Sequence, residues 1–368
     1  MACFPQTHWQ NGSDMNMLKK LNVPSMATPI SLILVLVLIV ALTYALGGEH
    51  QHITVTEMLV RMIAVVGIYI FVGNSGLLSF GHVGFMCVGA YTAAWVTVAP
   101  LWKQMMLFAL PEVLRTQAYG YEVSLILAVL ICMVLALVLG AVIMRLSGIA
   151  STITTFGFLV VLNSVFSNWS SLTAGTSSII GIPVFVNPFW AVLVVAVCIL
   201  IAWLYQSSRH GLMLRATRES EPAAKACGIS IVKMRLVSFV LSAGICGLAG
   251  AMYAHFVGFL SPDALYLDAT FILLAMLIVG GMQSLTGAVL GAVVVSLLIE
   301  LLRLAEDGVS ISGHLLALPS GSQQLGLAAL LGLVLLFRPD GLSKGKELTA
   351  WRGRVGRFSN RRSKVFVN

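Results

Sequence analysis

The 368 residues are 58% hydrophobic and only 10% charged, with a formal net charge of +8. Soluble domains average about 25% charged residues, and a chain this apolar would expose large greasy patches to water, so a water-soluble domain is excluded and lipid is the solvent. The location of the positive excess argues against nucleic acid as a partner: Arg338 to Asn368 holds nine Lys and Arg against Asp340 and Glu347, a juxtamembrane tail suited to anionic membrane lipid.

A bilayer core takes about 20 apolar residues per helix. Ten runs fit that ruler: residues 29–46, 55–73, 82–99, 122–144, 149–166, 189–206, 236–258, 267–284, 287–304 and 324–337. The expected fold is an all-α polytopic membrane protein of about ten transmembrane helices, with glycine-rich breaks and a hint of internal repetition. Residues 1–28 form a polar N-terminal segment, 29–337 a transmembrane domain with a loop at 207–235, and 338–368 the basic tail. The first run lacks a small-x-small cleavage site, so it is expected to be retained as a span.

Of the 22 Lys and Arg, 18 fall on one side of this layout and four, Arg61, Lys103, Arg115 and Arg303, on the other. Positive charge collects in the cytoplasm, which places both termini and the loop 207–235 there. The six cysteines give no CxxC and no pair facing an oxidising compartment, so free thiols are expected. No GxxxxGK[ST] is present to cradle a nucleotide phosphate.

Two stretches interrupt the apolar pattern. The first is Gly73-Asn74-Ser75-Gly76-Leu77-Leu78-Ser79-Phe80-Gly81-His82-Val83-Gly84. It is open to two readings: a discontinuous element lining a pathway, or a tight turn followed by small residues for close helix packing. The second, Gly280-Gly281-Met282-Gln283-Ser284-Leu285-Thr286-Gly287-Ala288-Val289-Leu290-Gly291, has the same character in the other half, and its glycines favour dense helix contact. Gly76, Gly81, Gly84, Gly280, Gly281, Gly287 and Gly291 are the packing and break candidates. Glu57 with Arg61 and Glu300 with Arg303 sit at helical spacing near span ends, where each pair satisfies itself and reads as structural. His82 and His255 have no partners at ligand spacing, so no metal is expected.

The loop is a charged island carrying Arg209, Arg215, Arg218, Lys225, Lys233 and Arg235. Arg215 to Cys227 is expected to form an amphipathic helix with Pro222 near a helix start and Gly228 as its stop. A solvated basic loop is the plain alternative; the small residues and the glycine stop favour a docking element.

These segments together resemble the permease subunits of bacterial branched-chain amino-acid ABC importers. Asn74 to His82 followed by Gly89-Ala90-Tyr91 is similar to the family's N-x-G-x-x-S-F-G-H and G-A-Y. Arg145-Leu146-Ser147-Gly148, Thr154-Thr155-Phe156, and Leu172-Thr173-Ala174-Gly175 with Gly181-Ile182-Pro183 resemble further family segments. The island matches the family pattern at Gly211, Leu214, Arg215, Ala216, Arg218, Glu219, Glu221, Ala223, Ala224, Gly228 and Ile229. Ala249 to Ala254 and Phe337 to Leu342 complete the series, while Ala150, Ala174, Pro222 and Gln283 depart from it.

The resemblance implies a transport subunit rather than an enzyme, with no cofactor of its own. It implies a second homologous permease subunit, cytoplasmic ABC ATPase subunits and a periplasmic or extracellular solute-binding protein as partners, in the inner membrane of a bacterium. The ATPases would dock on Arg215, Arg218, Glu219, Glu221, Ala223, Ala224 and Gly228. The solute would be branched-chain amino acids, with urea or short amides carried by close relatives. Asn74, Ser79, Thr154 and Thr155, polar within apolar spans, are the candidate pathway residues. An ATP-independent facilitator or channel is the rival reading.

Overall fold

The structure is a computed structural model and describes residues 26–347 apart from 147, 308, 312–313, 317–318, 320, 339–340 and 346. Lys19, Lys20, Cys3, Pro339, Asp340 and the tail beyond 347 lie outside the described residues.

All ten expected spans are helices. In chain order they are α1 (Ala27–Leu46), α2 (Glu49–Ser75), α3 (His82–Thr97), α6 (Tyr121–Ile143), α7 (Ile149–Asn168), α9 (Pro188–Ser207), α12 (Ile231–Val257), α13 (Leu267–Gly280), α14 (Leu285–Asp307) and α15 (Ser322–Phe337). Among the described residues, eight helical segments are long and apolar enough to cross a membrane. The other two are α3, which turns through 119° into α4 (Pro100–Met106), and α15. Pro100 sets that corner, because proline starts a helix but cannot continue one.

Short elements fill the connections. Helices α5 (Glu112–Thr116) and α8 (Ser170–Thr173) lie in two loops, and α10 (Arg209–Glu219) and α11 (Glu221–Ala226) form the charged island. Strand β1 (Ile179–Ile180) pairs antiparallel with β2 (Phe259–Leu260), and β3 (Val309–Ile311) with β4 (His314–Leu316).

Helix α12 is the central post, packed on α2, α3 and α6. In lipid no hydrophobic drive pulls helices together, so close approach rests on small residues and buried hydrogen bonds. Both are present. A Cβ on Gly250 would lie 1.8 Å from the Met86 carbonyl oxygen, and one on Gly89 would lie 2.1 Å from that of Gly247, so α12 and α3 touch backbone to backbone. Along α2 the Ser238 and Ser242 hydroxyls donate to the carbonyls of Ile70 and Gly67, at 2.8 and 2.6 Å.

Consecutive spans run in alternate directions, which gives the bundle two ends. The island end gathers the C-termini of α2, α9 and α13, the N-termini of α12 and α14, and α10–α11. At the opposite end Lys103 is fully buried, its ammonium donating to the carbonyls of Val96, Leu114 and Gln117 at 3.1, 2.8 and 2.8 Å. This one side chain ties α4, α5 and the loop after α5 to the end of α3. Nearby, His255 bridges the Ser124 hydroxyl and the Pro183 carbonyl.

The first glycine-rich stretch is a turn. Helix α2 completes its 27 residues before Gly76 (φ 74°) ends it in the left-handed conformation. Beyond the turn a Cβ on Gly81 would meet the Thr155 carbonyl oxygen at 2.7 Å, and one on Gly84 the Phe158 ring at 2.9 Å, so α3 sits tightly on α7. The second stretch is a closer crossing still. Cβ atoms on Gly280 and Gly291 would each lie 1.9 Å from a carbonyl oxygen, of Gly287 and of Met276. Gly281 (φ 112°) makes the corner between α13 and α14.

The first residues of the basic tail return to this corner. Leu342 and Ser343 donate backbone hydrogen bonds to the carbonyls of Val279 and Gly280, at 2.9 and 3.0 Å. The Glu347 carboxylate accepts from the backbone N–H groups of Leu285 and Thr286, capping α14 where its dipole favours an anion.

Candidate functional site: the charged island and its anchor

The island is two helices where the sequence suggested one. Pro222 has no N–H to give to the Arg218 carbonyl and its ring crowds the preceding turn, so the helix cannot run through it. The chain extends at Ser220 (φ −157°, ψ 108°) and restarts at once, with the Ser220 hydroxyl capping the Ala223 N–H. Ser208 caps α10 in the same way at Gly211. Gly228 (φ 79°) closes α11: its N–H bonds the Lys225 carbonyl and the Ile229 N–H bonds that of Ala224, a Schellman stop.

Five predicted docking residues divide by face. Glu219, Ala223 and Gly228 are exposed, along with Ala216, Lys225, Ala226 and Cys227. Ala224 is buried against the bundle, and Glu221 is half-buried in an ion pair with Arg235.

The two arginines expected on the docking face turn inward instead. Arg215 Nε donates to Asn74 Oδ1 at 2.8 Å, and its Nη2 to Gln206 Oε1 at 3.0 Å. The same Gln206 oxygen accepts from the Tyr69 hydroxyl at 2.7 Å, so α2, α9 and α10 meet in one buried network. Arg218 Nη1 donates to the Gly73 carbonyl at 2.8 Å, and the arginine's stem lies over Gly76. A Cβ on Gly76 would stand 2.7 Å from Arg218 Cγ. The last turn of a helix leaves carbonyls without partners, and cations are favoured there; Arg218 answers both needs for α2. Both arginines therefore fasten the island to α2. Sequence alone gave no sign of this, since Asn74 and Arg215 are 141 residues apart.

The two breaks meet beneath the island. A Cβ on Gly73 would lie 2.7 Å from the Met282 carbonyl oxygen, which brings the α2 terminus onto the α13–α14 corner. Arg215 and Arg218 thus join α10 to α2, and the end of α2 in turn touches the α13–α14 corner.

The four candidate pathway residues part company. Asn74 is buried and engaged with Arg215, and it donates to the Ile70 carbonyl. Ser79 is buried against His82 Nδ1 at 2.8 Å, and Thr155 is buried with its hydroxyl on the Thr152 carbonyl. Thr154 faces out from α7, on the same exposed face as Ser164 and Asn168. Among the described residues no group of three His, Cys, Asp or Glu is placed to hold a metal.

A family model described as branched-chain amino acid transport system, permease component, matches residues 53–318. The chain belongs to this permease family. It is a multi-pass membrane transport subunit, and the helical bundle and its spans fit that role. Its similarity to individual members is distant but long. It is 25% identical over 346 residues to the high-affinity branched-chain amino acid transport system permease protein LivM of Salmonella typhimurium, covering 84% of this chain and 74% of that one. To the LivM of Escherichia coli K12 it is 26% identical over 345 residues, with the same coverage. It is also 28% identical over 190 residues to the autoinducer 2 import system permease protein LsrC of Salmonella paratyphi B, covering 47% of this permease and 54% of that one. No solved structure gives a significant match.

Proposed function

We propose that this permease is one half of the membrane channel of an ATP-binding-cassette importer, with the island end in the cytoplasm and both termini on that side. The charge distribution supports this orientation: of the four described basic residues away from the island end, Arg61, Lys103, Arg115 and Arg303, none approaches the density of the island. Cytoplasmic ATPases dock on the exposed face of α10 and α11, formed by Ala216, Glu219, Ala223 and Gly228. A solute-binding protein delivers its cargo at the opposite end.

The observation that carries this reading is the double fastening of the island to α2, through Arg215 to Asn74 and Arg218 to Gly73. A solvated basic loop needs no such anchor. A lever does, because force from the ATPases reaches the spans only through stiff, packed connections.

A second, homologous permease packs against α7. Thr154, Ser164 and Asn168 recur at helical spacing on an exposed face of a membrane span, Thr154 and Asn168 bonding the carbonyls of Ala150 and Ser164 one turn back, and such small polar side chains favour contact with another helix. A Cβ on Gly157 of the same helix would meet nothing within 4 Å, leaving room for close approach. The solute is a branched-chain amino acid, as the names of the LivM relatives suggest. The LsrC match supports autoinducer 2 as the second reading, which competition between leucine and autoinducer 2 during uptake separates.

The docking claim is tested at Gly228. Its Cβ would point into open space, so Gly228→Val strains the left-handed stop and places bulk on the docking face without touching the bundle. The folded variant is expected to lose ATPase co-purification and transport. Unaltered association and uptake would remove the docking surface.

A further inference from the structure

Away from the island, the two charge pairs that the sequence offered as self-sufficient are brought together. A cavity of about 80 Å³ lies between α2, α14 and the start of α15, lined by Glu57, Arg61, Ser296, Glu300, Arg303 and Gln323 among others. Arg61 Nη2 holds Glu57 at 2.5 Å. Glu300 lies 2.8 Å from His50 Nε2 and 4.0 Å from Arg303 Nη1.

Depth makes this unusual. Arg61 is twelve residues from Gly73 on α2, about 18 Å along the helix, and Ser296 is eleven from Leu285 on α14, about 17 Å. Both positions are near the middle of a hydrocarbon core about 30 Å thick. His50 and Arg303, each half exposed, mark the end away from the island. The cavity therefore leads from the outer end toward mid-depth, where ionisable groups are costly and belong to ligand or ion paths.

A second observation points to a ligand. Ser296 lines the cavity and is 7% exposed, yet its hydroxyl has no hydrogen-bond partner. Serines in spans commonly bond the carbonyl one turn back, as Thr92 and Thr97 do here. A buried hydroxyl left unmade costs about 1–3 kcal/mol, so it is expected to meet a polar group that enters the cavity.

We propose that this cavity is an intramembrane binding site for the zwitterionic head of a small α-amino acid. Two guanidinium groups and two carboxylates line the space, with no net charge to favour a lone anion or cation. A carboxylate placed beside Arg61 and an ammonium beside Glu57 or Glu300 replace existing partners with like ones, and Ser296 gains the bond it lacks. The inference rests on the importer reading only for its choice of amino acids as cargo.

The test is thiol protection in membranes holding the complete transporter. Ser296→Cys is nearly isosteric and is exposed to a small, membrane-impermeant methanethiosulfonate from the outer side, with the modified peptide found by mass spectrometry. Labelling is expected, and leucine at saturation is expected to slow it roughly tenfold, while 4-methylpentanoate (no ammonium) and isoamylamine (no carboxylate) leave it unchanged. Adding Arg61→Gln is expected to cancel the protection and keep the labelling. Absence of labelling in an assembled complex overturns the proposal. So does labelling that leucine does not slow, or that the anion or the cation slows equally. Labelling requires no ATPase, so failure of the Gly228 experiment leaves this result standing, and failure here leaves ATPase docking intact.

Discussion

Asn74 shows how much one side chain decides. It is buried at the C-terminal turn of α2, where its amide accepts from Arg215 and donates to the Ile70 carbonyl. Asn74→Ala leaves the Arg215 Nε–H without its acceptor, a loss of about 1–3 kcal/mol. The docking face itself is untouched, so ATPases are expected to co-purify with this variant while transport falls. Wild-type uptake by Asn74→Ala would show that the fastening transmits nothing. Lys103 makes a comparable point at the opposite end, with one ammonium serving the carbonyls of Leu114, Gln117 and Val96, the last of which also accepts from the Tyr119 N–H. Lys103→Met keeps the volume and removes the donors, and a loss of roughly 3 kcal/mol is expected from the buried acceptors left behind. Thermal unfolding in detergent measures it, and an unchanged midpoint would mean that water replaces the lysine.

At the scale of helices, contact between backbones governs. Gly291→Ala must push α14 away from the Met276 carbonyl, since the new carbon would lie 1.9 Å from that oxygen. About 1–3 kcal/mol or more is expected from such overpacking, whereas Gly332→Ala, whose Cβ meets nothing within 4 Å, is expected to be neutral. Equal melting points for the two variants would contradict the packing account.

The spans themselves were legible because hydrocarbon demands long apolar runs, and the ten runs counted in the sequence are ten helices. The stop at Gly228 was legible for a similar reason, since left-handed backbone selects glycine. What escaped were facts of pairing. Nothing local says that Arg215 and Arg218 turn toward α2, or that Glu57 and Glu300 share a cavity across 243 positions. The break in the island was within reach, because Pro222 forbids a continuous helix, but Ser220 as the cap of a second helix needed the observed dihedrals.

For the whole molecule, the proposed importer divides labour between two ends and one exposed flank: an island that receives force, a far end that receives solute, and α7 against which a second permease packs. The island is the part on which the rest depends. Cys227 makes it measurable, being exposed on α11's C-terminal cap while the other described cysteines are buried. With Cys3 replaced by Ser, an impermeant maleimide is expected to label Cys227 in inside-out vesicles stripped of ATPases, and to lose that access when the ATPases are added back. Labelling of Cys227 in intact cells, or labelling in vesicles that added ATPase leaves unchanged, would contradict the account.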